Sequence, residues 1–298
     1  MSFINSKKRK YYYFKLLIIC ISISLYIFFL FNIEKDNKKL KRYSYDIFSP
    51  SHKTFIEAHR GVIREIFQNT LESFKKVLEY DIDSLETDTW LTKDNILVVF
   101  HGYTNGSFLN GYYDHSGEVT KLTWNELSSY RTINDSLRMP KLSEVLNLAK
   151  NKLFINLEIK DPRIDLVFPK VIELIKEYNF FNQIALSSFH FGYYDKIKEY
   201  NEKNKKNLTF GFIYHKNETE IYFDYTKRGN SLNLHWSKVN KKVCNKAHRN
   251  GMAVIAWFKN HDKESVKIYR KLIKNGVDAI CSNEPVKAKK FRDKYYNS

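Results

Sequence analysis

From position 54 onward, short apolar runs alternate with stretches in which apolar residues recur every three or four positions. The runs predict strands at residues 54–58, 84–91, 96–100, 153–159, 183–186, 209–214, 231–235, 253–257 and 279–281. Helical spacing falls between most of them, at 70–80, 142–150, 165–178, 193–202, 239–250 and 263–275. Strand–helix alternation of this kind implies a parallel sheet, and the number of units suits a closed (β/α)8 TIM barrel over 54–298. A doubly wound open sheet is the alternative. The stretch from His101 to Met139 breaks the rhythm, being rich in Gly, Tyr, Asn and Ser, with one short helix expected near 124–129. Long loops inside a compact domain are usually functional, and this one follows a strand, where barrel active-site loops sit.

A different pattern precedes the barrel. Residues 16–33 form an uncharged run of about eighteen residues, close to the minimum that spans a bilayer as a helix. A basic tail, residues 1–15, stands before it with Lys7, Lys8, Arg9, Lys10 and Lys15, and a charged linker, 34–53, follows. The run is long for a cleaved signal peptide, and no small-x-small cleavage site follows it. The expectation is a single N-terminal transmembrane signal-anchor, with the N-terminus cytosolic and the barrel domain lumenal or extracellular in the secretory pathway. Lysines and arginines on both flanks nearly balance the orientation signal, and the sequons at Asn105, Asn134, Asn207 and Asn217 add little in a chain so rich in Asn, Ser and Thr.

The net charge of +17 favours anionic partners, whether phosphate esters or acidic lipid. No basic residues interleave with stacking aromatics on a recognisable nucleic-acid module, so no nucleic-acid partner is expected. Of three cysteines, Cys20 falls in the hydrophobic run; Cys244 and Cys281 have no metal-ligand spacing and read as buried free thiols, with a disulfide between them as the alternative.

Candidate chemistry sits at strand ends. Glu86 and Asp88 are two apart on a strand and share a face; so do Asn156, Glu158 and Lys160. Burying three carboxylates together costs too much unless a cation compensates, and hard oxygen ligands suit Mg²⁺ or Ca²⁺. His59 and Arg60 end the first strand, and His101 ends the third. Cleaving a phosphodiester requires charge neutralisation, a deprotonated nucleophile and a protonated leaving group. A cation with Arg60 and Lys160 could meet the first need, and two histidines the others.

The ordered set of motifs resembles the glycerophosphodiester phosphodiesterase family. It comprises His59-Arg60-Gly61, Asn69-Thr70, Glu86-Thr87-Asp88, Thr92-Lys93-Asp94, Val98-Val99-Phe100-His101, Glu158-Ile159-Lys160, Trp257-Phe258-Lys259-Asn260 and Gly276-Val277-Asp278-Ala279-Ile280. The resemblance implies one divalent metal on Glu86, Asp88 and Glu158, His59 and His101 as the acid/base pair, Arg60 and Lys160 on the phosphate, and Trp257 as an apolar wall. The implied reaction releases glycerol 3-phosphate and an alcohol such as choline, ethanolamine or inositol. Relatives with membrane segments include lysophospholipase D enzymes, which release lysophosphatidic acid. Three positions depart from the pattern: Gln68 stands for a Glu, Gly102 for an Asp after the second His, and Asn283 for an Asp. The other readings are a phospholipase D-like barrel that closes a cyclic phosphate, and an inactive membrane-tethered lipid-binding barrel. In the long loop, Phe108, Leu109, Tyr112 and Tyr113 form a cluster expected either to fold back as a lid or to dip into lipid.

Overall fold

The computed structural model describes residues 53–102, 107–218, 220–221 and 230–298, together with Leu16, Ile19, residues 21–24 and Tyr26. The chain divides into two units, residues 1–42 and 43–298. In the first, the described positions are helical and exposed. Most of the hydrophobic run at 16–33 and nearly all of the linker lie outside the described residues, and among the described residues no helix is long and apolar enough to cross a membrane.

The second unit is a barrel. Its strands are β1 (Phe55–His59), β2 (Ser84–Leu91), β3 (Leu97–Val99), β4 (Phe154–Ile159), β5 (Ile184–Ser188), β6 (Phe210–Ile213), β7 (Ser231–His235), β8 (Ala253–Trp257) and β9 (Ala279–Ser282). Eight of them run parallel in the order β1-β9-β8-β7-β6-β5-β4-β2, and pairing of β1 with β2 closes the circle. One predicted strand is not a stave: β3 pairs antiparallel with the outer end of β2, Thr89 opposite Val99 and Leu91 opposite Leu97. The turn at Asp94 and Asn95 explains this, since a connection so short can only return the chain antiparallel.

The helices are α1 (Leu71–Glu79), α2 (Trp124–Ser129), α3 (Leu142–Ala149), α4 (Ile164–Glu177), α5 (Gly192–Asn204), α6 (Lys241–Arg249), α7 (Val266–Asn275) and α8 (Pro285–Asn297). Several start where a side chain satisfies a free backbone N–H: Thr70 caps α1, Asn240 caps α6 and Ser265 caps α7. Helix α8 was not expected from the sequence, because its dense lysines hide a short apolar seam. Ala288 is buried, Phe291 packs on the main core, and Arg292 pairs with Asp83. The core lies between staves and helices, with Leu85, Ile155, Leu157, Leu186, Leu232 and Val254 pointing outward from the barrel wall into it.

The segment after β3 forms a small core of its own. Leu109, Tyr113, Val119 and Leu127 are buried against Trp90, Val98, Phe100 and Met139. Of the four residues considered for contact with lipid, Leu109 and Tyr113 are therefore in the interior, Tyr112 is half-buried against Phe100, and Phe108 alone is exposed. The folded-back alternative is the one the packing supports.

Candidate active site

Parity along the staves gathers the site. Leu85 points out to the helices, so Glu86, Asp88 and Trp90 point inward from β2. Asn156 and Glu158 do likewise on β4, and Lys160 follows just past its end. Register then places them side by side, with His59 opposite Glu86, Glu86 opposite Asn156 and Asp88 opposite Glu158. A cavity of 520 Å³ opens at this end of the barrel, lined by His59, Arg60, Glu86, His101, Glu158, Lys160 and Trp257 among others. Asp88 sits behind that surface, fully buried. All eight residues singled out in the sequence thus meet in one place.

The turn after β1 is built for the site. Arg60 takes a left-handed backbone (φ 60°), and its amide donates to the Glu86 carbonyl oxygen at 2.9 Å and to Glu86 Oε2 at 3.1 Å. Gly61 follows at φ 96°, where a Cβ would lie 2.2 Å from Ser73 Oγ, so the close approach requires glycine. The Arg60 guanidinium reaches Asp88 Oδ2 at 3.3 Å through Nε and donates to Gln68 Oε1 at 2.9 Å and Asn260 Oδ1 at 3.2 Å. Lys160 Nζ donates to Glu158 Oε1 at 2.9 Å and lies 3.7 Å from Asp88 Oδ1. Asn69, also left-handed, donates to Asp88 Oδ2 at 2.8 Å and accepts from Thr87 Oγ1.

The three carboxylates each offer an oxygen within 4.8 Å of the others. Burial pushes the Glu86 carboxyl well above its ordinary value, and the neighbouring Asp88 and Glu158 push it further. Burial also raises Glu158, against the pull of Lys160. Burial opposes the charge on Lys160 itself, but Glu158 and Asp88 outweigh it and hold the ammonium charged. Glu86 Oε1 and Asp88 Oδ1 are buried with no hydrogen-bond partner. Crowded anionic oxygens with unsatisfied lone pairs are costly by themselves and fit a hard divalent cation.

Both histidines present the same face. His59 Nδ1 lies 2.8 Å from Asn283 Oδ1; the Asn283 amide nitrogen donates to the Lys259 carbonyl, which fixes its oxygen toward the ring. His101 Nδ1 lies 2.6 Å from the Gly102 carbonyl oxygen. Those oxygens accept only, so each Nδ1 carries the proton and each Nε2 is left as a lone pair. Burial, then the Arg60 charge, holds both imidazoles well below their ordinary pKa. Two departures noted in the sequence, Gly102 and Asn283, thus supply neutral acceptors to the two imidazoles, and Gln68 supplies one to Arg60.

Sequence reasoning missed several parts of the cavity. Phe189 and His215 stack at 4.2 Å on the rim, and Trp90 and Asn260 line it. Phe189 and His215 follow staves β5 and β6, so position alone marks them. Glu57, two before His59 on the same inward face, is fully buried, accepts from Asn156 Nδ2 at 3.2 Å and is raised by burial to about 7. Cys281, expected as a buried free thiol, is one, and burial pushes its pKa well up; Cys244 is also free.

A TIM barrel whose mouth holds an acidic cluster able to take a cation, flanked by two basic side chains and two neutral imidazoles, is the class that fold and site define. The sequence profile of the glycerophosphoryl diester phosphodiesterase family matches residues 59–287. The chain belongs to that family. It is 30% identical over 246 residues to a glycerophosphodiester phosphodiesterase of Caldanaerobacter subterraneus subsp. tengcongensis, a match covering 78% of this chain and 95% of the relative. A glycerophosphodiester phosphodiesterase of Bacillus altitudinis is 28% identical over 254 residues, covering 80% and 98%. The fold is similar to that of an Oleispira antarctica phosphodiesterase solved in complex with the product sn-glycerol-3-phosphate, with a TM-score of 0.68, 20% identity, and 81% of this chain and 97% of that one covered. It is also similar to a glycerophosphoryl diester phosphodiesterase of Parabacteroides distasonis, with a TM-score of 0.66, 21% identity, and 87% and 92% covered.

Proposed function

We propose that this chain hydrolyses glycerophosphodiesters to glycerol 3-phosphate and an alcohol, using one Mg²⁺ or Ca²⁺ held by Glu86, Asp88 and Glu158. The observation that carries the reading is the pair of orphaned carboxylate oxygens set beside two imidazoles with free Nε2 atoms. When bound, the cation supplies positive charge against the phosphodiester oxygens. Arg60 and Lys160 orient the phosphate and share its charge. A neutral Nε2, on His59 or His101, accepts a proton from the attacking water as its oxygen bonds to phosphorus, and the other imidazole, protonated alongside the anionic substrate, donates to the alkoxide that departs as the P–O bond breaks. Trp257, its indole N–H donating to the Asn233 carbonyl at 3.3 Å, stands edge-fixed as a wall for the alcohol portion.

A lysophospholipid with the same phosphodiester would make the enzyme a lysophospholipase D. Apolar lining from Trp90, Ile213, Ile255 and Trp257 favours keeping that reading in the same test. Residues 16–33 are proposed as the membrane anchor, with the barrel on the lumenal or extracellular side. The deciding experiment incubates the full chain with glycerophosphocholine and with lysophosphatidylcholine, with and without chelator, and identifies the products. Glycerol 3-phosphate is expected from the first substrate, with turnover abolished by chelator and restored by Mg²⁺ or Ca²⁺. A cyclic phosphate product would assign the nucleophile to the substrate's own hydroxyl, and undiminished activity in chelator would overturn the cation role.

A further inference from the structure

Cys281 has no part in the reaction above, yet it lines the same cavity on β9, paired in register with Glu57 on one side and Trp257 on the other. Its sulfur, a ring nitrogen of His59 and a carboxylate oxygen of Glu86 lie within 4.8 Å of one another, and all three side chains are buried. Glu86 Oε1 is without a hydrogen-bond partner, and Glu86 Oε2 lies 3.8 Å from His59 Nε2. Asn283 holds the His59 proton on Nδ1, so the Nε2 lone pair faces this trio.

We propose that His59, Glu86 and Cys281 form a second cation site, selective for thiophilic divalent ions of the zinc class, which shares Glu86 with the three-carboxylate site and stops turnover when filled.

The donor set separates the two sites. Three carboxylates suit a hard ion that ignores sulfur, whereas one imidazole, one carboxylate and one thiolate suit Zn²⁺ or Cd²⁺. A hydrogen bond from the far ring nitrogen to a carbonyl-type oxygen is the usual outer support of a zinc-bound imidazole, and Asn283 supplies it. Tetrahedral zinc places neighbouring ligand atoms roughly 3.5 Å apart, so the three side chains need close by only about 1 Å. Binding replaces the S–H bond of Cys281 with a metal–sulfur bond and sends one proton to solvent, with no change of oxidation state. It also consumes the Nε2 lone pair of His59. Inhibition therefore rests on the acid/base role given to His59 above; capture of the ion does not.

The test uses the full chain carrying Cys20→Ser and Cys244→Ser, so that Cys281 is the sole thiol. Cd²⁺ is expected to raise the ultraviolet charge-transfer band of a cadmium–thiolate bond, and Zn²⁺ to inhibit turnover supported by Mg²⁺ or Ca²⁺. Adding Cys281→Ser should remove the band and raise the Zn²⁺ concentration for half-inhibition at least about tenfold. Turnover without Zn²⁺ should stay within about twofold, because a buried thiol acts here as a small apolar side chain. Cys281→Ala repeats the measurement should the serine hydroxyl disturb folding. A band with no loss of turnover would retain the site and overturn its inhibitory role. A band that survives Cys281→Ser, or unchanged Zn²⁺ inhibition in both variants, overturns the proposal. Absence of any phosphodiesterase activity alongside a Cys281-dependent band would instead count against the function and leave the ion site standing.

Discussion

The two sides of the barrel mouth are made of different material. Staves β1, β2 and β4, with the residues just past their ends, carry His59, Arg60, Glu86, Asp88, Glu158 and Lys160, and ion pairs at 2.9 to 3.7 Å tie Arg60 and Lys160 to Asp88 and Glu158. Staves β6 to β8 present Ile213, Asn233, Ile255 and Trp257, none of them charged, with Lys259 in the loop beyond β8. The charged side is electrostatically unfinished, with carboxylate oxygens that have no donor, whereas the Trp257 indole on the other side already has its partner. Unfinished polar groups are tolerated where a ligand completes them, so the charged side should govern rate and the neutral side should govern which alcohol is accepted.

The sharpest way to break this division is at the carboxylates. Glu86→Gln and Glu158→Gln should each lower turnover about a thousandfold or more and weaken cation affinity in calorimetric titration, since an amide cannot replace anionic charge on a hard ion. Retained turnover in either variant would move the cation elsewhere. Next in size are the imidazoles. His59→Ala and His101→Ala should each cost about a hundredfold in kcat with Mg²⁺ or Ca²⁺ affinity nearly unchanged, because each is given a proton to move in turnover and neither is a ligand of the hard cation. A matching fall in Mg²⁺ affinity would recast that histidine as a ligand.

Glu57 tests whether the charged side carries strain below the mouth as well. Its folded pKa, raised by burial to about 7, exceeds the ordinary 4.5, so between those values the folded chain holds a proton that the unfolded chain has lost. Its contribution to stability is complete below pH 4.5 and is lost as pH rises through 7. At about 1.4 kcal/mol per pH unit, the advantage of Glu57→Gln over the parent should grow by about 3 kcal/mol from pH 5 to pH 8. Urea unfolding in chelator measures it. A pH-independent difference would mean that the carboxyl is solvated or ionised by an unseen partner.

The charged side was also the more legible side in the sequence. Alternation on a strand put Glu86 with Asp88, and Glu158 with Lys160, before any tertiary information, and the barrel followed from the strand–helix rhythm. The same parity extends to Glu57 and Trp90, which no motif of the sequence marks. Other features were beyond local pattern. Asn283 and His59 are 224 positions apart, and only closure of β9 onto β1 brings them to 2.8 Å. Helix α8 was masked by lysines, since one apolar seam is a weak signal against a dense run of charge. The burial of Leu109 and Tyr113 depended on what Trp90, Phe100 and Met139 offered from elsewhere in the chain.

On the neutral side the expected effect is smaller. Trp257→Ala should raise KM about tenfold and change kcat little, because removing an apolar contact present in both ground and transition states is worth about 1 to 3 kcal/mol. A change confined to kcat would give the indole a part in chemistry and blur the contrast between the two sides.

The smallest effect is expected outside both sides, in the segment after β3. Phe108 is 45% exposed, while Leu109 beside it is wholly buried, so the pair separates contact with lipid from support of the mouth. Leu109→Ala opens a cavity in the small core and should cost about 2 to 5 kcal/mol of stability, lowering activity on glycerophosphocholine and lysophosphatidylcholine alike. Phe108→Ser removes the one exposed ring of its four-residue cluster, and Ile133 is the other large apolar side chain of the segment that is exposed among the described residues. A lone exposed aromatic has too little area to hold an acyl chain, so the ratio of activities on the two substrates should shift by about threefold or less. Measuring both substrates in parallel decides it. A loss above tenfold confined to lysophosphatidylcholine would show that Phe108 meets the lipid directly, and the apolar face of the mouth would then extend past the barrel wall onto this segment.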